Sequence, residues 1–304
     1  MLISPFSPLK SSPVQSRTRT SPDTAAAAQN LPAKPEATLM KTYFAGNSQP
    51  GKVPKPGWRG NPPEAVIKAI QESQRTHCPL PENMRNLSGY DFSGYDLNNA
   101  NLYKTNLSNA RFHRTSLEEA NLINADLSNS RFIDTKLKRA ELSMTKFDNA
   151  TFIATQLREA RGFNVDFSNA YFESVAFDKA HIINSLFIDT KFSFATMTEA
   201  KLNGTQFKNA KLHSVNFSTS EMKNSNFKGA ELDKVQFDDT WLNGADLTET
   251  YRNKVVFDNT KYDDNFKITI ADAVHTGTDL NEHPIIKSYF GDGLVYDPPS
   301  APHA

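Results

Sequence analysis

Large apolar side chains recur at every fifth position from 87 to 247 of this 304-residue chain. The run reads Leu87, Phe92, Leu97, Leu102, Leu107, Phe112 and onward through 33 positions, with Gly162 the one lapse. Two residues before each centre lies a second column. From position 100 to 260 it holds only Ala, Ser, Thr or Val, beginning Ala100, Thr105, Ala110 and Thr115. A period of five fits neither a helix nor a strand. It demands a chain that turns a corner every five residues and brings the same two side chains inward each time. That object is a solenoid. Four five-residue sides close one square coil, so residues twenty apart stack vertically. About eight coils at ~4.8 Å each make a rod on the order of 40 Å long.

The small column has a steric reason, because no second large side chain fits beside a stacked Leu or Phe. Its Thr and Ser hydroxyls are also placed to bond backbone groups at the turns. One inserted residue would expel every later Leu or Phe into water, and none occurs. Gly162 leaves a gap in its column. Either Phe163 beside it swings inward, or the coil is weak there.

Flanking segments read differently. Residues 1–57 are rich in Ser, Pro, Thr and Ala and hold no acid before Asp23, a composition that predicts disorder. A helical cap is expected over 58–84. Asn61 would be its capping amide, Pro62 and Pro63 its start, and Ala65, Val66, Ala69 and Ile70 its apolar side. The solenoid spans 85–262. A cap and tail follow over 263–304, with a strand-like alternation at Phe266-Lys267-Ile268-Thr269-Ile270 and an apolar group of Ile285, Ile286, Tyr289 and Phe290. Charge is balanced at 34 basic against 34 acidic residues, which argues against a nucleic-acid binder. The single cysteine, Cys78, excludes an internal disulfide.

The motif A-(N/D)-L-x-x appears literally as Ala100-Asn101-Leu102, Ala120-Asn121-Leu122, Ala125-Asp126-Leu127 and Ala245-Asp246-Leu247. Over about 85–262 the chain resembles the pentapeptide-repeat family. The resemblance implies an all-β fold, a right-handed quadrilateral β-helix, without enzymatic activity of its own. Members of that family include DNA-mimicking regulators of type II topoisomerases and effectors that bacteria inject into host cells. DNA mimicry requires an acidic rod, and Arg111, Arg131, Lys138, Arg139, Lys191, Lys201, Lys208 and Lys211 dilute any negative stripe here.

No chemistry-bearing motif stands out. The seven histidines show no metal-ligand spacing, and no Cys cluster accompanies them. There is no phosphate-binding glycine loop, and a filled rod offers no enclosed pocket. No catalytic residue, metal or cofactor is therefore expected. Two opposed outer sides carry interface-like composition. One displays Ile133, Ile153, Tyr171 and Phe194 beside Arg111, Arg131, Lys191 and Lys211. The other displays Tyr103, Ile123, Phe163 and Ile183, with Arg161 and Trp241 nearby. Scattered apolar residues also suit any β surface. The expected function is a non-catalytic protein-binding scaffold acting through the outer faces, as a bacterial effector secreted into host cells, and a plain cytoplasmic structural scaffold or topoisomerase regulation by DNA mimicry are the alternatives. Membrane association would rest on four charges spread over five coils, which is weak support. Oligomeric state and partner identity are not given by the sequence. The N-terminal composition is similar to a type III secretion signal, so secretion into a host cell is expected, with a plastid transit peptide or a linker in a cytoplasmic protein as the alternatives.

Overall fold

A computed structural model describes residues 59–263 and 265–268, and they form a parallel β-solenoid capped by a helix. We number its walls by their inward columns: first (Leu87), second (Phe92), third (Leu97) and fourth (Leu102). Coil stacks on coil in a twenty-residue register. Arg111 pairs with Arg131 and Phe132 with Phe152 on the second wall, and Asn121 pairs with Glu141 on the fourth. That register persists to Trp241 opposite Lys261. The next pair, Asp246 with Lys267, is twenty-one apart, so one extra residue enters after the regular coils end.

The backbone satisfies its donors by a rule that follows from the five-residue side. On the third wall, Leu97 N–H donates to Ser116 O (2.7 Å) and Asn99 N–H to Glu118 O (2.9 Å), both in the next coil. Ser116 N–H returns to Tyr95 O in the previous coil (3.2 Å), and Ala100 N–H closes the corner onto Leu97 O (3.1 Å). One donor per side remains, the N–H just after the centre. Where an Asn or Asp stands just before the centre it can take it: Asp96 Oδ1 accepts from Asn98 N–H (3.0 Å), Asp126 Oδ1 from Ser128 N–H (3.0 Å) and Asn121 Oδ1 from Ile123 N–H (3.1 Å). This is the physical reason for the N/D in the repeat. Most buried hydroxyls of the small column bond centre carbonyls, as with Thr105 to Leu102 O (2.5 Å) and Thr145 to Leu122 O (2.7 Å), while those of Ser220 and Ser225 have no partner among the described residues.

Each corner also places the second residue after the centre in the left-handed region. Asn99, Asn109, Asn129 and Asn149 have φ near 60°, and Gly89 and Gly94 have φ of 73° and 78°. Asn and Gly tolerate that conformation best. Inside, phenylalanines stack down three of the walls, with Phe217, Phe237 and Phe257 stacked on the third. Phe132 and Phe152 lie 4.7 Å apart and nearly parallel, as do Phe187 and Phe207 at 4.8 Å, while Phe147 meets Phe152 edge-on across the corner.

Phe163 does not swing inward at Gly162; it is 54% exposed. The gap is closed by Val165, whose Cγ2 reaches to 2.5 Å from where a Gly162 Cβ would stand. A larger member of the small column thus replaces the missing centre, and the coil is filled.

The cap is helix α1, Glu64–Thr76. Asn61 is not its capping residue: the N-cap is Pro63, and no side chain bonds the helix start. Ile70 is buried, with Val66 and Ala69 partly so, but Ala65 is exposed. Polar bonds fix α1 on the first coil. Gln74 Nε2 donates to Asp96 O and Asn98 O (3.1 and 2.9 Å), and Ser73 Oγ accepts from Asn101 N–H (3.2 Å). These bonds and Ile70 cover an open sheet edge. Of the expected C-terminal strand, 267–268 pairs as a strand, whereas Thr269 and Ile270 lie outside the described residues. Residues 1–57, expected to be disordered, and Ile285, Ile286, Tyr289 and Phe290, expected to form a cap, also lie outside the described residues.

Candidate binding surfaces

With the interior filled by Leu, Phe and small side chains, chemistry is confined to the walls. The first wall presents Ser and Asn in vertical rows, among them Ser88, Ser108 and Ser128 beside Asn109, Asn129 and Asn149. On the third wall, charges alternate up the corner and pair between coils. Arg139 bonds Glu159 (2.8 Å) and reaches Glu119 (3.4 Å), Arg158 bonds Asp178 (3.2 Å), and Lys179 reaches Glu199 (3.5 Å). The Arg139 hydrogen bond holds the Glu159 carboxyl below its ordinary range. Such exposed pairs are screened by water and each contributes little to stability. They make this wall self-sufficient.

The second wall is an eight-stranded parallel sheet running from Arg111–His113 to Tyr251–Asn253. It gathers most of the residues expected there. Arg111, Arg131 and Ile133 are half-buried, Lys191, Lys211 and Phe194 are exposed, and Tyr171 is half-buried with its hydroxyl donating to Glu173 (2.8 Å). Ile153 is a correction. It was expected on the surface, but only 6% of it is exposed, because the flat sheet packs neighbouring coils over it.

This wall holds a notch that sequence reading missed. Its volume is about 330 Å³, and Tyr171, Lys191, Ser193, Lys211, His213 and Asp233 line it. Ser193 is the small floor residue between larger side chains one coil above and below. The wall below is a ladder: Asn253 Nδ2 donates to Asp233 Oδ1 (2.7 Å), and Asp233 Oδ2 lies 2.5 Å from His213 Nδ1. Ser193, His213 and Asp233 thus stack in register, yet Ser193 is not hydrogen-bonded to the imidazole. The His213 ring instead packs edge-on against Phe194 at 5.6 Å. Phe194 occupies a left-handed corner with φ 58°, where a bulky side chain is strained.

On the fourth wall, Tyr103, Ile123, Phe163 and Ile183 lie in one outward column, interrupted by Ser143. Tyr103, Ile123 and Ile183 are half-buried. Met144, not expected from the sequence, is 51% exposed at the corner beside them, again left-handed with φ 59°. Trp241 lies farther down, flanked by the Lys223 and Lys261 ammoniums at 4.6 and 4.5 Å from its ring centre. Burial lowers the His181 pKa on this wall and that of His113 on the second, and the cations Lys201 and Arg114 add to the effect.

Comparisons with known proteins bear on the repeat itself. A family profile described as a pentapeptide repeat region matches residues 160–237, and one described as pentapeptide repeats matches 86–114 and 115–152. The chain is a pentapeptide-repeat protein. Among solved structures it is similar to HetL, a pentapeptide repeat protein involved in heterocyst differentiation regulation in the cyanobacterium Nostoc sp. strain PCC 7120. That match has 19% identity, covers 64% of this chain and 92% of HetL, and has a TM-score of 0.43. It is also similar to a trypsin-treated form of QnrB1, a plasmid-mediated fluoroquinolone resistance protein, at 14% identity. There, 57% of this chain and 91% of that one are covered, with a TM-score of 0.49. A pentapeptide repeat protein of the Arabidopsis thaliana thylakoid lumen matches at 22% identity over 38% of this chain and 65% of its own, with a TM-score of 0.17. No curated protein matches. Among the described residues no group of His, Cys, Asp or Glu is arranged to hold a metal ion, and no helix is long and apolar enough to cross a membrane.

Proposed function

We propose that this pentapeptide-repeat protein is a non-catalytic scaffold that binds a protein partner on its second wall, at the notch between Tyr171 and His213. Phe194 carries the reading. Asn, Asp or Gly holds most corners at little cost, whereas a phenylalanine in the left-handed region lowers stability by ~1 kcal/mol or more. Strain of that kind concentrates where function requires it. Phe194 and Tyr171 supply apolar contact, and Lys191, which has no ion pair among the described residues, supplies a charge. An aromatic anchor beside an unpaired cation and a dent of side-chain size is the composition of an interaction hot spot.

The test is proximity labelling in the native setting with the full chain and with Phe194→Ser and Lys191→Glu variants. Loss of the same labelled proteins from both variants, with melting preserved, is the expected result. An unchanged set of labelled proteins overturns the assignment. Delivery out of a bacterium by residues 1–57 is part of this reading and rests on composition alone. A reporter fused to that segment distinguishes secretion from plastid import or cytoplasmic retention.

A further inference from the structure

We propose that the fourth wall is self-complementary, and that two copies of this chain pack there face to face with their solenoids antiparallel. This surface is distinct from the second-wall notch and stands or falls independently of it.

The wall shows three features without a use inside one chain. Phe163 projects as a knob, and Ser143, one coil away in the same column, is the only small residue between Tyr103 and Ile183. Met144 holds a strained left-handed corner next to that knob. Glu141 and Arg161 pair through their backbones on successive coils, yet no ion pair joins their side chains. Opposite charges so stacked pair in Lys201 with Glu221 and Lys211 with Glu231, though not in Asp126 with Lys146 or Lys146 with Asp166.

A two-fold axis lying in the interface, perpendicular to both solenoids and midway between the coils of Leu142 and Gly162, resolves all three. Such an axis keeps each outward column opposite itself and reverses the order of coils. Glu141 then faces Arg161 of the second copy, twice by symmetry. Phe163 of each copy seats over Ser143 of the other, Ile123 meets Ile183, and Met144 covers the neighbouring Asn164. Lys201 faces Asn101 and Lys104 faces Gly204, so no like charges oppose. Neighbouring registers fail. Centring on the Gly162 coil sets Arg161 against Arg161 and Phe163 against Phe163, and centring on the Leu142 coil sets Glu141 against Glu141.

Six coils face six in this arrangement, a footprint of about 450 Å² per copy from the strand and coil spacings. That lies at the small end for specific interfaces, so association in the micromolar range is expected. A lipid surface suits the wall less well. Ile123 and Ile183 are half-buried in the sheet and do not project the ~5–10 Å that interfacial insertion requires.

Sedimentation velocity on the full chain, over about a hundred-fold concentration range around a micromolar Kd, tests the proposal. The expected result is a reversible monomer–dimer equilibrium. It weakens at least ten-fold in Glu141→Arg, in Arg161→Glu and in Phe163→Ser, and it returns in the charge-swapped double variant E141R/R161E. Thermal melts of each variant separate lost association from lost folding. A monomer at every concentration overturns the proposal, as does a dimer indifferent to Phe163→Ser, or a double variant that stays monomeric. None of these outcomes touches the notch, which the labelling experiment reads separately.

Discussion

Gly162 offers a test in which repeat consensus and packing predict opposite signs. Every other centre from 87 to 247 is large and apolar, so consensus reasoning expects Gly162→Leu to stabilise the solenoid by filling a vacancy. The structure has no vacancy. A Cβ at Gly162 would stand 2.5 Å from Val165 Cγ2, 3.2 Å from Leu142 Cβ and 3.3 Å from the Leu142 carbonyl carbon. The Gly162 φ is not in the left-handed range, so backbone strain does not enter, and the conflict is one of packing. Overpacking of this kind costs about 1–3 kcal/mol. Val165→Ala alone removes two buried methyl groups and costs about 1–3 kcal/mol. Together the two changes exchange one inward side chain for another. The double variant is therefore expected to be more stable than the sum of the singles by about 1–3 kcal/mol. Urea unfolding with an unchanged m-value reads the effect through the midpoint. Stabilisation by Gly162→Leu alone, or strict additivity in the double variant, would refute the packing argument.

Phe172 stacks on Phe192 at 4.3 Å and Phe152 at 4.9 Å in the middle of the second wall, and Phe172→Ala is expected to cost about 3–5 kcal/mol in urea unfolding. Asp126→Ala strips the acceptor from the Ser128 N–H and should lower stability by about 0.5–2 kcal/mol, as loss of a helix cap does, whereas Asp126→Asn should be near neutral. Phe194→Asn relieves the left-handed corner and should raise the melting temperature, by ~1 kcal/mol of stability, while abolishing partner labelling. His113 and His181 are held below their ordinary pKa of 6.5 by burial, with neighbouring cations second. As pH falls through that value the unfolded chain takes up protons before the folded one. Their contribution to stability is thus complete above 6.5 and is lost below it. Melting temperatures measured through that window should fall with pH less steeply in a His113→Gln/His181→Gln variant.

The repeat made most of the fold legible, because one inward side chain per five residues admits one chain path. Leu87 through Leu247 and the column from Ala100 to Thr260 fixed the coil size, the register and the filled interior. Local effects were less accessible. Asn61 has the composition of a cap, but Pro63 starts the helix, since α1 is held by its side contacts to the first coil and needs no capped end. Ile153 alternates outward, yet neighbouring side chains of a flat sheet cover it. The third-wall charges pair only because twenty residues of separation become one coil of height.

The five-residue periodicity by itself determined that this chain is a square β-solenoid with its core spent on stacked Leu and Phe. Periodic patterning sums over thirty-three positions, so no single deviation can overrule it. What each wall can do was decided only in three dimensions. The notch exists because Ser193 is flanked from above and below by residues twenty positions distant. Val165 fills the place of Gly162, and Glu141 stacks on Arg161 without pairing. Each is a relation between coils, set by side-chain volume and direction, which a one-dimensional pattern does not carry.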